Sequence, residues 1–343
     1  MKNKFKYYKN SLNLNNKSVL ITGGTGSFGN ACVNKILECF KPKKLIIFSR
    51  DEHKQNEMFI RLDKHPKKNL LRFFIGDVRD RDRLKIATQN VDYIIHAAAL
   101  KHIPATEYNP TECIRTNILG AENVIYAALE NNVKKIISLS TDKASNPINI
   151  YGASKLASDK LIVSGNHLAA NGRSKFSVVR YGNVIGSRGS IFWIIKKALI
   201  KKIKYVPITD KDMTRFWISL EQGVEFVLSC LDIMKGGEIY VPKLPSSKVI
   251  DLINYFCPKI KKSFIGIRPG EKLHETLISS DESRETLEFK DRYVIEPSIA
   301  FWDRNFKKKL SGKKVFKNFE YKSNTNKKQL NFKNLEFIIK NLK

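Results

Sequence analysis

The segment KSVLITGGTGSFGNACVNKIL, Lys17 to Leu37, narrows the choice of fold more than any other part of this chain. A short apolar run ends at Gly23, Gly26 and Gly29, and an amphipathic helical pattern follows, so the segment reads as strand, tight turn and helix. Glycines in such a turn let backbone N–H groups and the helix N-terminus approach a pyrophosphate that a Cβ would hold away. The spacing is GxxGxxG, one residue longer at its first gap than the dinucleotide fingerprint GxGxxG. Thr25, Ser27 and Phe28 fill the positions between the glycines as further candidate contacts. A glycine-rich turn with no ligand is the competing reading until the second strand is considered.

That strand lies in KKLIIFSRDEHK and ends at Ser49 and Arg50. About 20 residues after the glycine loop, an NAD-type domain presents an acid to the adenosine ribose, whereas a 2′-phosphate calls for basic side chains. Arg50, with Lys54 one helical turn on, favours NADP; Asp51 and Glu52 keep NAD in play. LLRFFIGDVRD puts Asp77 and Val78 where an adenine edge would lie, and VDYIIHAAALKH ends in three alanines from Ala97, small enough to admit a cofactor. The next helical pattern, TECIRTNILGAENVI, carries Thr116 and Asn117. Apolar strands alternating with helices predict an α/β fold, a Rossmann-type doubly wound parallel sheet, with a smaller C-terminal substrate-binding lobe.

The candidate catalytic residues fall in SLSTDKASNPINIYGASK: Thr141, Asp142, Lys143, Tyr151 and Lys155. KKIISLS before them is the kind of run a buried strand needs, and Asn146-Pro147 marks a break before a helix. Tyr151 and Lys155 are four apart on one helical face, where an ammonium favours the ionised phenol. An unperturbed phenol of pKa about 10 is ionised in roughly one molecule in a thousand at pH 7, a handicap of about 4 kcal/mol. With 12 tyrosines and many lysines in the chain, a YxxxK match alone is weak, so its surroundings carry the argument. Neighbouring residues of a strand point to opposite faces, so Asp142 and Lys143 reach one substrate only if the strand has already ended. A surface Asp-Lys pair and a turn hydroxyl at Thr141 are the bland alternatives.

GGTGSFG at 23–29, SRDE at 49–52, GDVRD at 76–80 and AAALKHIP at 97–104 resemble the extended short-chain dehydrogenase/reductase superfamily. With STDKASNPINIYGASK, RYGNVIGSRGS, MTRFWI and IRPGEKLHE, residues 15–300 resemble the inverting UDP-N-acetylglucosamine 4,6-dehydratases within it. Asp142-Lys143 after Thr141 is the discriminating feature, since the related dehydratases that retain C5 configuration have Asp-Glu and many 4-epimerases differ there. The resemblance implies NADP as cofactor and UDP-N-acetylglucosamine as substrate. Tyr151 takes the C4 hydroxyl proton as C4 is oxidised, and Lys143, as a neutral amine, removes the C5 proton. Protonated Asp142 assists loss of the C6 hydroxyl as water. Hydride returns to C6, and C5 is protonated from the opposite face. Lys143 then needs a lowered pKa and Asp142 a raised one.

The same resemblance gives Asn183 to a substrate diphosphate and runs Val184, Ile185, Gly186, Ser187 and Arg188 along the nicotinamide side. Lys101 touches both cofactor and sugar, and Ile191, Thr209 and Arg215 line a UDP pocket. Arg268 suits a nucleotide phosphate and Glu271 ribose hydroxyls, although a capped helix start explains PGEK equally well. The product belongs with pseudaminic acid or other deoxyamino sugars of surface glycans, and homo-oligomers are expected. Two other functions remain open: a related UDP-sugar 4-epimerase or reductase, and a noncatalytic NADP-binding regulator.

The 343 residues, 42% hydrophobic, can bury a substantial core. The expected layout is a basic N-terminal segment 1–14, a cofactor domain 15–189 plus 215–245, a nucleotide-sugar lobe 190–214 plus 246–300, and a basic tail 301–343 that docks onto the body or a neighbouring subunit. MKNKFKYYKN lacks the apolar centre of a secretory signal, and no later run is long and apolar enough to span a membrane, so a cytoplasmic protein is expected. Five cysteines without CxxC spacing predict free thiols. His96 reads as a packed residue, and six histidines without ligand spacing predict no metal. The net charge of +29 is spread among Asn and Ile without a basic helix bearing stacking aromatics, so nucleic-acid binding is not expected. Excess positive field instead speeds capture of a diphosphate substrate.

Overall fold

The computed structural model describes residues 11–169, 172–186, 190–201, 203–303, 306 and 310–336. The first of the apolar runs is strand β1 (Ser18–Thr22), buried at every position. It is followed by α1 (Ser27–Cys39), β2 (Lys44–Ser49), α2 (Glu52–Leu62), β3 (Leu71–Ile75), α3 (Arg81–Ala87) and β4 (Tyr93–His96). Two short helices, α4 (Ile103–Tyr108) and α5 (Pro110–Ile114), lead through one π turn into α6 (Gly120–Glu130). Then come β5 (Lys135–Thr141), α7 (Ile150–Leu168) and β6 (Lys175–Tyr181). Strands this apolar are buried on both faces, which requires helices on both sides of the sheet.

Beyond β6 lie β7 (Asn183–Ile185), α8 (Ile191–Lys201), β8 (Tyr205–Ile208), β9 (Thr214–Ser219), α9 (Leu220–Ile233) and β10 (Ile239–Pro242). The C-terminal part adds β11 (Ser246–Lys248), α10 (Val249–Phe256), β12 (Lys261–Phe264), β13 (Thr276–Ile278), β14 (Thr286–Glu288), β15 (Arg292–Ile295), β16 (Lys313–Lys314) and β17 (Tyr321–Lys322). The large sheet runs β16-β14-β15-β10-β6-β5-β4-β1-β2-β3. It is parallel from β10 to β3 and antiparallel from β10 outward. The order reverses between β1 and β4, so the carboxyl ends of these two strands open a crevice, the usual ligand position in such sheets.

A second apolar cluster, with Phe192, Ile195, Val206, Trp217 and Leu252 at its centre, forms the smaller lobe around a β11-β9-β7 sheet and a β12-β8 pair. Two placements differ from the sequence expectation. Residues 286–295, grouped there with the substrate lobe, extend the large sheet, because Leu287, Tyr293, Val294 and Ile295 bury against its edge and Arg292 stacks on Phe226 and Tyr240. Strand β9, its residues from 215 on grouped with the cofactor domain, pairs with β7 of that grouping on one side and with β11 of the substrate lobe on the other. At the N-terminus, Leu12 and Leu14 are buried and Ser11 donates to Asp232 at 2.8 Å; residues 1–10 of the basic segment lie outside the described residues. Of the tail, β16 joins the large sheet and β17 pairs with β13. The five cysteines are free thiols. Among the described residues no helix is long and apolar enough to cross a membrane.

Candidate active site

The turn after β1 is shaped for a ligand rather than for a side chain. Gly23 has φ +65°, and a Cβ there would stand 2.9 Å from the backbone of Ala98, so only glycine fits. Gly26 precedes α1 and has no side chain to cap it, leaving the first-turn N–H groups, beginning with those of Ser27 and Phe28, directed at the crevice. The Asn30 amide donates to the carbonyls of Thr25 and Gly26 at 2.8 and 3.0 Å and holds the loop closed. Thr25 and Ser49 hydroxyls are 2.8 Å apart.

These residues line a cleft with Arg50, Asp51, Lys54, Asp77, Val78, Ala98 and Thr116. The Arg50 side chain is 57% exposed and lies 3.6 Å from Asp77. Lys54 is engaged by Asp51, which also caps α2 by accepting from the Lys54 backbone, while Glu52 is exposed in the first turn. Arg50 is therefore the more open of the two cations singled out in the sequence. Ala97 is bound through its N–H to Thr22, and the Thr116 hydroxyl oxygen is buried with no partner among the described residues. Asn117 is used by the protein itself: its amide bridges both backbone groups of Leu100 and the Ser154 hydroxyl, all within 2.9 Å, so it shapes the cleft wall from behind. His96 is packed, with Nδ1 2.7 Å from the Thr22 hydroxyl, and burial, aided by the Lys155 charge, pushes its pKa down to about 3.

Strand β5 ends at Thr141, whose hydroxyl accepts from the Lys143 backbone N–H and so starts a single 3-10 turn over Asp142–Ala144. That turn breaks the strand alternation and lets Asp142 and Lys143 face the same space. Asn149 caps α7 by accepting from Gly152 N–H at 2.7 Å. A Cβ on Gly152 would come within 2.3 Å of the Lys143 carbonyl, so helix and turn touch backbone to backbone and bring Tyr151 against the pair. Thr141 donates to Asp142 Oδ1 at 2.9 Å and is hydrogen-bonded to the Tyr151 phenol.

Lys143 Nζ lies 3.0 Å from Asp142 Oδ1 and 3.1 Å from Glu275 Oε1, both carboxylate side chains being 1% exposed. Burial raises the Asp142 pKa, the direction an acid needs. Lys143 departs from expectation: burial lowers its pKa, but the charges of Asp142 and Glu275 together outweigh that and hold it above the ordinary lysine value. Tyr151 also departs from it. Burial pushes its pKa up to about 12, and the cation that opposes this most is Lys143. Lys155 is 3% exposed; burial lowers its pKa against the pull of Asp159.

The second cleft is lined by Ile103, Lys143, Asn149, Asn183, Arg215, Gly270, Glu271, Lys272 and Glu275. Asn183 Oδ1 and Glu271 Oε2 are buried without partners among the described residues. Arg215 is largely committed to the protein, donating to the carbonyls of Thr214, Leu273 and Lys272 at 2.7, 3.1 and 3.0 Å. Lys101 is close enough to Lys143 for that charge, after desolvation, to lower its pKa. Val184 and Ile185 form β7, with Gly186 at φ +76° after them, and Ile191 and Thr209 follow in the smaller lobe. Arg268 is exposed on the loop before Gly270 and does not line the cleft. Ser187 and Arg188 lie outside the described residues.

Sequence reasoning passed over Glu275, Lys272 and Asn149. Lys272 donates to the Ser145 carbonyl at 2.7 Å and Asn149 to that of Gly270 at the same distance, so both tie the IRPGEKLHE segment to the catalytic turn. Glu275 is set in place from the tail: Ser323 Oγ accepts from its N–H and Ser323 N–H donates to its carbonyl, each at 2.9 Å. Glu275 stands in the quoted motif, but its partners sit in other segments of the chain.

The chain is similar to known proteins over most of its length. Residues 19–297 match the family described as polysaccharide biosynthesis protein. An inverting UDP-N-acetylglucosamine 4,6-dehydratase of Campylobacter jejuni subsp. jejuni is 53% identical over 330 residues, covering 95% of this chain and 98% of that protein. A UDP-glucose 4-epimerase of Rickettsia bellii is 42% identical over 334 residues, 95% of this chain and 96% of its own. Among solved structures, Pen from Bacillus thuringiensis superposes with a TM-score of 0.85 at 35% identity, over 96% of this chain and all of that one.

Proposed function

This chain belongs to the polysaccharide biosynthesis protein family, and from that premise we propose that it is a configuration-inverting UDP-N-acetylglucosamine 4,6-dehydratase. The observation that carries the proposal is the buried Asp142-Lys143 pair set against Tyr151 at the end of β5. The Campylobacter relatives bearing that name are more similar to this chain than the Rickettsia epimerases.

A nicotinamide dinucleotide fits the first cleft: Gly23 leaves backbone where a side chain cannot go, α1 offers uncapped N–H groups, and the buried Thr116 hydroxyl lacks a partner. Arg50 supports NADP over NAD, its guanidinium being exposed at the cleft edge for a 2′-phosphate. Bound there, the nicotinamide would supply a reversible hydride carrier, an acceptor toward C4 and, once reduced, a donor toward C6. Thr25, Ser49, Asp77 and Val78 frame the adenosine end, with Ala97 beside the lining alanines, and buried Lys155 has Asp159 as its counter-charge.

Tyr151 receives the C4 hydroxyl proton, with the Lys143 charge and the Thr141 hydrogen bond favouring its phenolate. Once C4 is a ketone the C5 proton is acidic, and Lys143 removes it as an amine. Asp142, whose pKa burial raises, is the acid that gives its proton to the departing C6 hydroxyl. Asn183 and Glu271 offer their unpartnered buried oxygens to the nucleotide sugar. Lys101, Ile191 and Thr209 are assigned to the same substrate, Arg268 would reach it only from outside the cleft lining, and Arg215 stiffens the cleft floor.

The product is a 4-keto-6-deoxy amino sugar nucleotide suited to surface-glycan assembly. The reading carries with it a cytoplasmic homo-oligomer, for which exposed Tyr108, Ile114 and Leu119 supply apolar surface. The test is incubation with UDP-N-acetylglucosamine in deuterated water, followed by NMR and mass spectrometry. The expected outcome is loss of water, deuterium at C5 and inverted C5. A sugar that keeps its C6 oxygen and changes only at C4 assigns the chain to the epimerases instead.

A further inference from the structure

We infer that Glu275 accepts the ammonium proton of Lys143, so that the base for C5 is generated inside the closed site and not by titration against solvent. The inference rests on the dehydratase reading and concerns how its base becomes available. Lys143 enters as an ammonium between the carboxyl groups of Asp142 and Glu275, and an ammonium has no lone pair with which to take the C5 proton.

The two carboxylates are not equivalent. Asp142 Oδ1 already receives Thr141 Oγ1 and Lys143 Nζ, and burial raises the Asp142 pKa, the direction its role toward C6 requires. Glu275 is the ionised partner, its pKa held low by Lys143 and then Arg215 despite burial. Its Oε2 is buried with no hydrogen bond among the described residues, so a proton can be added without breaking one. Its backbone is pinned on both sides by Ser323. Arg215 Nε, at 3.6 Å, is the group that keeps Glu275 anionic while the cleft is open to water, and its other donors are spent on carbonyls.

Filling the cleft removes water and penalises two buried charges more than the neutral amine and acid they become on sharing one proton. In that transfer an Nζ–H bond breaks and an Oε–H bond forms, with no change of oxidation state. The freed Nζ lone pair then takes the C5 proton, and the C5–H electron pair passes into the enolate with C4. Glu275 acts through Lys143 and is thus a positioning residue that sets a charge state.

Rates of deuterium entry at C5 from deuterated water, taken from about pD 6.5 to 8.5 for wild type, Glu275→Gln and Glu275→Asp, test this. The expected wild-type rate is flat. That of Glu275→Gln is expected to be at least about 100-fold lower near neutrality and to climb about tenfold per unit, as a base titrated by solvent does. Glu275→Asp keeps a carboxylate and is expected to be slower than wild type with a flat profile. Transient cofactor reduction, seen by absorbance on adding substrate, reports whether each variant folds and oxidises C4. A Glu275→Gln profile parallel to wild type overturns the inference whatever its height, as does a climbing profile for Glu275→Asp, which alone suffices if the glutamine variant does not fold. A wild-type enzyme that brings no deuterium to C5 overturns the dehydratase reading first and this inference with it.

Discussion

The two clefts are built from different materials. The first is made of strand ends that follow one another in the chain, and its grip comes from glycine backbone, N–H groups and hydroxyls, with one open cation, Arg50, at the edge. The second gathers Lys143, Arg215, Lys272 and Glu275 from separate segments into a cluster of buried side-chain charges. A backbone cradle needs no partner to be stable, whereas a buried charge is tolerated only while its partners stay in place. Binding and chemistry are therefore separable in this molecule, and each can be damaged without the other.

The sharpest way to break that separation is Lys143→Met. We expect deuterium exchange at C5 to fall by at least about 1000-fold, while NADP affinity, followed by cofactor fluorescence, changes by less than about twofold because Lys143 lies outside the first cleft. A comparable loss of cofactor binding would mean that the clefts are one unit. Arg50→Ala attacks from the other side: NADP binding should weaken by roughly 10-fold, the scale of one charge-assisted contact to phosphate, with NAD binding unchanged. Turnover at saturating cofactor should be unaffected.

The smallest effect belongs to His96, which lies on β4 between the clefts. Its folded pKa of about 3 is below the ordinary 6.5, so it contributes stability that is complete above pH 6.5 and is lost as the pH falls toward 3. His96→Gln removes that titration. Between pH 6.5 and 5 thermal melts should show the wild type losing about 1–2 kcal/mol more than the variant, and equal slopes would show that the buried imidazole is not what the acid attacks.

The same division explains what could be read from the chain. Gly23, Gly26 and Gly29 and the Arg50 position depend on neighbours within a turn or two of helix, and periodicity carries that information; the Tyr151–Lys155 spacing is equally local, but the cation acting on Tyr151 is Lys143. The end of β5 before Asp142 was legible because ASNP cannot continue a strand. Glu275 was not, since nothing local distinguishes a glutamate that meets Lys143 from one that faces water. The Lys143 charge state followed from the same blindness: desolvation was foreseeable, the second carboxylate was not. On sequence alone strands β14 and β15 group with the substrate lobe for a related reason, as short runs such as Thr286–Glu288 do not announce which sheet they join.

Ser323 gives the second cleft an unusual dependence on the order of synthesis. The cofactor cradle has all its residues by Thr116, early in translation. Glu275 is held by a residue near the end of the chain, which also bonds the Thr214 hydroxyl at 2.6 Å. A polypeptide released before Ser323 keeps every residue of the nucleotide grip and lacks the brace of its acid–base cluster. Loss of the chain from Ser323 onward would thus remove the brace on Glu275 while leaving the residues of the first cleft in the sequence.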